Sequence, residues 1–264
     1  MQKYIQVIKN TIAEYMVYRL NFILWRVRMA IRLLVIFFLW QAILINQKVV
    51  FGYDKAGIIT YILASQIVAT FILSTKTQDV GSEIQQGNLT NFLLRPMNYF
   101  GYLIGRDTAD KLLNFGFSII EVSVIIFFLR PPLFIQKDPI TLLFFLISIG
   151  LGIGLFFSIS LLLSLLSFWT QEGWGPRFLF MILNEFLSGG LFPLDILPSV
   201  IFKTLTYLPF SYLLYFPLKV YLGQLSISQI FQGLFIATIW MGILIALVQF
   251  TWRRGLKLYT AEGR

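Results

Sequence analysis

Histidine and cysteine are both missing from this chain of 264 residues, and charge is scarce: Asp, Glu, Lys and Arg together make up 12 % of it. Without cysteine there is no disulfide, no Cys-ligated zinc or iron–sulfur cluster and no thiol nucleophile. Without histidine the commonest general base, metal ligand and neutral-pH switch are gone. What remains is 58 % hydrophobic, with 27 Phe and a mean hydropathy of +0.79. A soluble domain of this size cannot bury that much apolar surface. The composition predicts a lipid bilayer as solvent.

About 20 apolar residues are needed to cross roughly 30 Å of hydrocarbon as a helix. Met29 to Ile45, Ala56 to Leu73, Leu112 to Leu129, Ile140 to Trp169 and Ile230 to Trp252 meet or approach that length. Arg32, near the start of the first, is read as snorkelling its guanidinium to the interface. The first apolar run begins too late, and lacks the following small residues, for a cleavable signal peptide. A sixth segment, from about Trp174 to Phe192, carries Glu185 and ends in Ser188-Gly189-Gly190-Leu191-Phe192-Pro193. Pro198, Pro209 and Pro217 then preclude one straight helix. Short helices in the outer interface, with Tyr207, Phe210, Tyr212, Tyr215 and Phe216 as an aromatic belt, are one expectation for 193–221. A re-entrant hairpin buried in protein is the other.

Six spans, an all-α polytopic membrane protein, put both termini on one side. Fifteen Lys and Arg then flank the spans on that side and six on the other, which places both termini in the cytoplasm of a plasma (inner) membrane protein. The net charge of +9 follows from topology and anionic lipid rather than from nucleic-acid binding. Residues 1–28 form a separate unit from the span domain at 29–264. There Ile5, Ile8, Ile12, Met16, Leu20 and Ile23 recur at helical spacing. That pattern suits an amphipathic helix on the cytoplasmic leaflet, or one packed on a soluble partner subunit.

Between the second and third spans lies the longest cytoplasmic loop, 74–111. Ile84, Leu89, Phe92 and Leu93 give a short helix in it an apolar face, Gly87 permits close backbone approach, and Arg95-Pro96 closes it. Such a helix rests on the membrane or docks into a groove of a cytoplasmic partner. Within the spans, Glu121 and Glu185 are intramembrane acids. Each is either protonated or paired (with Asn114, Asn184 or an arginine of a partner subunit), or else contacts cargo or gates a path. Glu172, Arg177, Asp107 and Asp110 read as solvated cytoplasmic charge. Gly150, Gly154 and Ser158, spaced by four, form a small-residue stripe for helix packing. Gly150, Gly152 and Gly154 are not a nucleotide-binding loop, because no Lys follows them.

Glu83-Ile84-x-x-Gly87-x-Leu89 with Leu93-Leu94-Arg95-Pro96 resembles the cytoplasmic-loop signature of type-2 ABC transporter permeases (the ABC-2 family). Phe168-Trp169-Thr170 ahead of Gly175 fits the same family, as do Phe186-Leu187-Ser188-Gly189 and Phe192-Pro193-Leu194-Asp195-Ile196-Leu197-Pro198. Trp252-Arg253-Arg254-Gly255-Leu256-Lys257-x-Tyr259 completes the set, in order along nearly the whole chain. The resemblance implies a non-catalytic permease subunit, paired with a second permease that is more often a different related chain than a second copy. It also implies two copies of a separate ATPase, which would hold ATP and magnesium, so that this chain carries no cofactor. Glu83, Ile84, Gly87, Leu89, Phe92, Leu93 and Arg95 would then form the coupling helix. Residues 193–221, beginning at Phe192 and Pro193, would cap the pathway. Export of a lipophilic or amphiphilic molecule is the expected activity. An ATP-independent transporter or channel is the alternative, supported by the Gly189-Gly190 break but by no matching break in the first half. A membrane enzyme would need converging acids, bases or metal ligands, which the residues do not supply.

Overall fold

A computed structural model describes residues 2–45 and 49–259; Lys48 and Arg264, counted above among the flanking charges, lie outside them. The chain begins with α1 (Gln2–Val17) and α2 (Arg19–Ile43). The hairpin β1 (Val49–Val50) and β2 (Tyr53–Asp54) leads into α3 (Lys55–Leu73). The hairpin turns through Phe51 and Gly52, both at positive φ (53° and 82°), the geometry a two-residue β-turn requires. Two short helices come next, α4 (Asp79–Gln85) and α5 (Leu89–Leu93), before α6 (Tyr99–Leu129) and α7 (Pro139–Leu165). After a 3-10 turn comes α8 (Trp174–Leu187), then the short helices α9 (Ser199–Thr206) and α10 (Tyr215–Tyr221), and finally α11 (Ile227–Leu258).

The long helices start where the sequence supplies oxygen acceptors for their first free N–H groups. Asp54 accepts from Gly57 N at 2.9 Å, Asn98 from Gly101 N at 3.0 Å and Asp138 from Thr141 N at 2.9 Å. Ser226 and Gln229 form a reciprocal capping box at the head of α11. Among the described residues, four helices are long and apolar enough to cross a membrane: α3, α6, α7 with its 3-10 extension to Phe168, and α11. Helix α2 is long enough but carries Arg19, Arg26, Arg28 and Arg32. Helix α8, with 14 residues, extends only about 21 Å at 1.5 Å per residue. These four helices make the chain an all-α, multi-pass membrane protein.

Four sequence expectations change. The helix expected over residues 1–28 kinks at Tyr18 (φ −95°, ψ 34°), so that Leu20 and Ile23 belong to α2. Helix α1 lies along α6, where Gly101 and Gly105 leave room for Tyr4 and Val7. The 74–111 loop ends at Asn98, because α6 begins a full three turns earlier than its apolar run. The supposed aromatic belt is buried protein: Tyr212, Tyr215 and Phe216 are 4–6 % exposed, while Tyr207 is exposed. Helix α10 packs on α7 and α3, and Gly233 of α11 admits the Phe216 ring where any side chain would collide with it. Burial in protein is the condition under which irregular, proline-rich backbone is tolerated beside a bilayer.

Gly150 points into open space among the described residues, so the packing stripe is shifted. Gly152 meets Ile72 and the Tyr212 carbonyl, Gly154 faces Met241 of α11, and Ser158 is buried.

Candidate functional site

Helices α4 and α5 form a small platform between the membrane helices and the solvent. Val80, Ile84 and Leu89 are buried against Leu103, Leu161, Leu165 and Phe168, so the apolar face of the loop is covered by its own chain. Glu83 is buried too. Its carboxylate accepts from the Tyr99 hydroxyl at 2.6 Å and from Arg106 Nη1 at 3.3 Å. Burial pushes the Glu83 carboxyl above the ordinary range, against the pull of these two donors. Gly87 adopts φ +73° in the turn between the helices, a conformation that favours glycine. There the Tyr259 hydroxyl donates to the Gly87 carbonyl at 2.6 Å and accepts from Thr90 N at 3.2 Å, fastening α5 to the end of α11.

Glu83, Ile84 and Leu89, expected on a docking surface, therefore build the platform from within. Phe92 is half-buried under Arg95, whose guanidinium lies 4.8 Å from its ring centroid. The outward edge is Leu93, Leu94, Arg95 and Pro96, with Leu94 80 % exposed. Leu94 is not among the residues expected to form the coupling helix. Two adjacent leucines give no signal of which one faces outward.

Behind the platform, Arg106 joins three segments. Its guanidinium reaches Asp79 at 2.8 Å, Glu83 at 3.3 Å and Glu14 of α1 at 3.5 Å. Lys76 pairs with Glu14 at 3.7 Å and Lys111 with Asp107 at 3.2 Å, while Tyr15 hydrogen-bonds Asp110. Asp107 and Asp110 are buried, which corrects their reading as solvated charge; Glu172 is exposed as expected. Arg177 is corrected as well: it donates to Ser164 Oγ at 2.5 Å and Ser160 Oγ at 3.5 Å.

The two acids expected within the membrane find arginines of their own chain rather than of a partner. Glu121 takes a two-pronged contact from Arg26, at 2.6 and 2.8 Å, and Arg26 reaches Asn114 at 3.5 Å. Glu185 pairs with Arg32 at 2.6 Å across α2 and α8, with both side chains more than a third exposed. Arg32 thus has Glu185 as its partner. For the buried Arg26–Glu121 pair, removing one partner strands a charge and costs about 3–5 kcal/mol, whereas removing both is close to neutral. Glu121→Leu alone is expected to lower the apparent Tm in detergent sharply, and Arg26→Met/Glu121→Leu to recover most of it. A double variant no more stable than the single one would contradict the pairing.

At the opposite end of the molecule Gly189 (φ +86°) breaks the chain after α8, and hydrogen bonds from distant elements hold the segment beyond it. Tyr61 donates to the Gly189 carbonyl at 2.8 Å, Trp40 to the Leu191 carbonyl at 3.3 Å and Tyr215 N to the Ser188 carbonyl at 2.8 Å. Lys219 and Tyr53 both bond Asp195 at 2.9 Å, and Lys219 also bonds the Tyr53 hydroxyl. Phe192 is half-buried and Pro193 buried beside this clasp.

Residues 30–263 match a family model described as ABC-2 family transporter protein. No curated protein matches the chain.

Proposed function

Since this chain belongs to the ABC-2 transporter family and is a permease of that type, we propose that it is the membrane subunit of an ATP-driven exporter of lipophilic or amphiphilic molecules. In this reading it carries no catalytic residue. Two copies of a separate ATPase bind its cytoplasmic face, and a second permease, a related chain, completes the pathway. Helices α2 and α8 serve as the first and fifth of six spans, and both termini are cytoplasmic. The observation that carries the reading is the platform of α4 and α5, whose inner face is sealed against the chain while Leu93 and Leu94 stand exposed. An exposed leucine beside an arginine, on a rigid support that α1, α6 and α11 all touch, suits insertion into an apolar pocket of a soluble partner.

The test is co-expression with the ABC ATPase of the same cell, followed by affinity capture. Leu94→Asp is expected to reduce ATPase capture at least tenfold, as for the loss of one buried leucine, and to leave the apparent Tm of the isolated chain unchanged. Capture equal to wild type would refute the docking edge. Transport without ATP by the isolated chain would favour an ATP-independent carrier.

A further inference from the structure

Arg253, Arg254 and Lys257, near the end of α11, are all exposed, and nowhere else among the described residues do three exposed cations fall within five positions. None of them has a carboxylate within 4 Å among the described residues. Neither α11 nor α7, the long helix it packs against, contains an Asp or Glu. The helix dipole accounts for little of this cluster. It favours cations over the last turn of a helix, where only Lys257 lies.

The three cations surround a hollow. A cavity of about 290 Å³ is bounded by Ala246, Gln249, Phe250, Arg253, Arg254 and Lys257, residues that recur three and four apart along one face of α11. Arg254 does not reach away from the bilayer, as a snorkelling cation would. Its guanidinium folds back over the exposed Phe250 ring, 4.9 Å from the centroid and one turn closer to the apolar middle of the helix. Beyond the cavity the same face continues through Ala246, Ile243 and Ile239, all exposed. From Phe250 to Ile239 it covers roughly 16 Å at 1.5 Å per residue. That stretch lies within the candidate span Ile227–Leu256, where the surrounding phase is hydrocarbon.

The occupant has to match both halves of this face in one molecule. Guanidinium groups hold phosphate oxygens through paired N–H donors, and basic side chains at the edge of a span draw anionic lipid. An acidic protein surface would satisfy the cations but not the apolar run that leads from them into the bilayer. We propose that Arg253, Arg254 and Lys257 hold the phosphate headgroup of an anionic phospholipid in the leaflet on the platform side, with one acyl chain lying along Phe250, Ala246, Ile243 and Ile239. This lipid is a resident of the helix, not cargo, and the site does not depend on the exporter reading.

The probe is phosphatidylglycerol, with phosphatidylcholine and inorganic phosphate as comparisons, titrated into the delipidated full chain in detergent and read by native mass spectrometry. Wild type is expected to bind phosphatidylglycerol in preference to phosphatidylcholine, and millimolar inorganic phosphate not to displace it. Each single change to Gln at the three cations should weaken phosphatidylglycerol about fivefold, and Arg253→Gln/Arg254→Gln/Lys257→Gln roughly a hundredfold, leaving phosphatidylcholine unaffected. Lys55→Gln/Lys137→Gln/Lys203→Gln removes the same charge from exposed positions elsewhere and should keep the preference. Wild-type binding by the α11 triple variant, an equal loss in the control triple, or displacement by inorganic phosphate would overturn the proposal. If the α11 triple variant does not fold, Ala246→Phe decides. It leaves every charge in place and blocks the tail path, so a several-fold loss is expected and wild-type binding overturns the site. An α11 triple variant that keeps the lipid but loses ATPase capture would assign this face to the ATPase instead.

Discussion

Arg106→Ala is expected to be the most damaging single substitution at the platform end of the molecule. It strands Asp79 and the buried Glu83, which have no other Lys or Arg within 4 Å among the described residues, and leaves Glu14 with Lys76 alone at 3.7 Å. Breaking a buried ionic network by removing one member costs about 3–5 kcal/mol, or an apparent Tm lower by roughly 10 °C in a chain of this size. Because Glu14 belongs to α1 and Asp79 to α4, the loss is not local. Proteolysis within residues 2–17 should accelerate, and ATPase capture should fall along with the platform. Arg106→Lys offers one point charge in place of a planar fork and should recover only part of the stability. An Arg106→Ala chain that melts like wild type would mean that the three acids are satisfied by solvent.

The second large effect concerns Gly255, on the last turns of α11. A side chain there would collide with the Phe168 ring, which itself packs against Trp252 and Tyr259. Trp252 in turn stacks on Tyr99 with centroids 5.2 Å apart, and Tyr99 donates to Glu83. Gly255→Leu must therefore displace an aromatic cluster, not one ring. Overpacking of this kind costs about 1–3 kcal/mol, and thermal unfolding should show it together with weaker ATPase capture. Gly150→Ala is the matched control. Its Cβ meets open space, and alanine is favoured over glycine in a helix by about 1 kcal/mol. Gly150→Ala should leave the melting temperature unchanged or raise it; a drop would place a neighbour against that position.

How much of this was readable in the residues depends on how far each interaction reaches along the chain. The α3, α6, α7 and α11 spans follow from long, mainly apolar runs, although α6 starts at the Asn98 cap, three turns ahead of its run, where no apolar pattern announces it. The charge partners do not follow. Arg26 and Glu121 lie 95 residues apart and Glu14 and Arg106 lie 92 apart, so nothing local distinguishes a buried pair from two solvated charges. The loop helices show a different limit. An apolar face on a short helix announces that something covers it, but Ile84 and Leu89 cannot say whether the cover is lipid, an ATPase or their own chain. Only the tertiary packing turned Glu83 and Leu89 inward and left Leu94 out. The same holds for Tyr212, Tyr215 and Phe216, whose aromatic clustering fits an interface belt as well as a core.

The clasp of Tyr53, Asp195 and Lys219 carries a consequence for assembly. Its three members come from segments separated by 142 and 166 residues, and the chain leaves the ribosome in order. Tyr53 is placed while neither Asp195 nor Lys219 has been synthesised. Until then Tyr53 has neither partner, and the Lys219 ammonium can be buried only once Asp195 is in position to receive it. The end of the molecule that carries the clasp is thus a record of chain completion, closing only after α3, α6 and α7 have been synthesised.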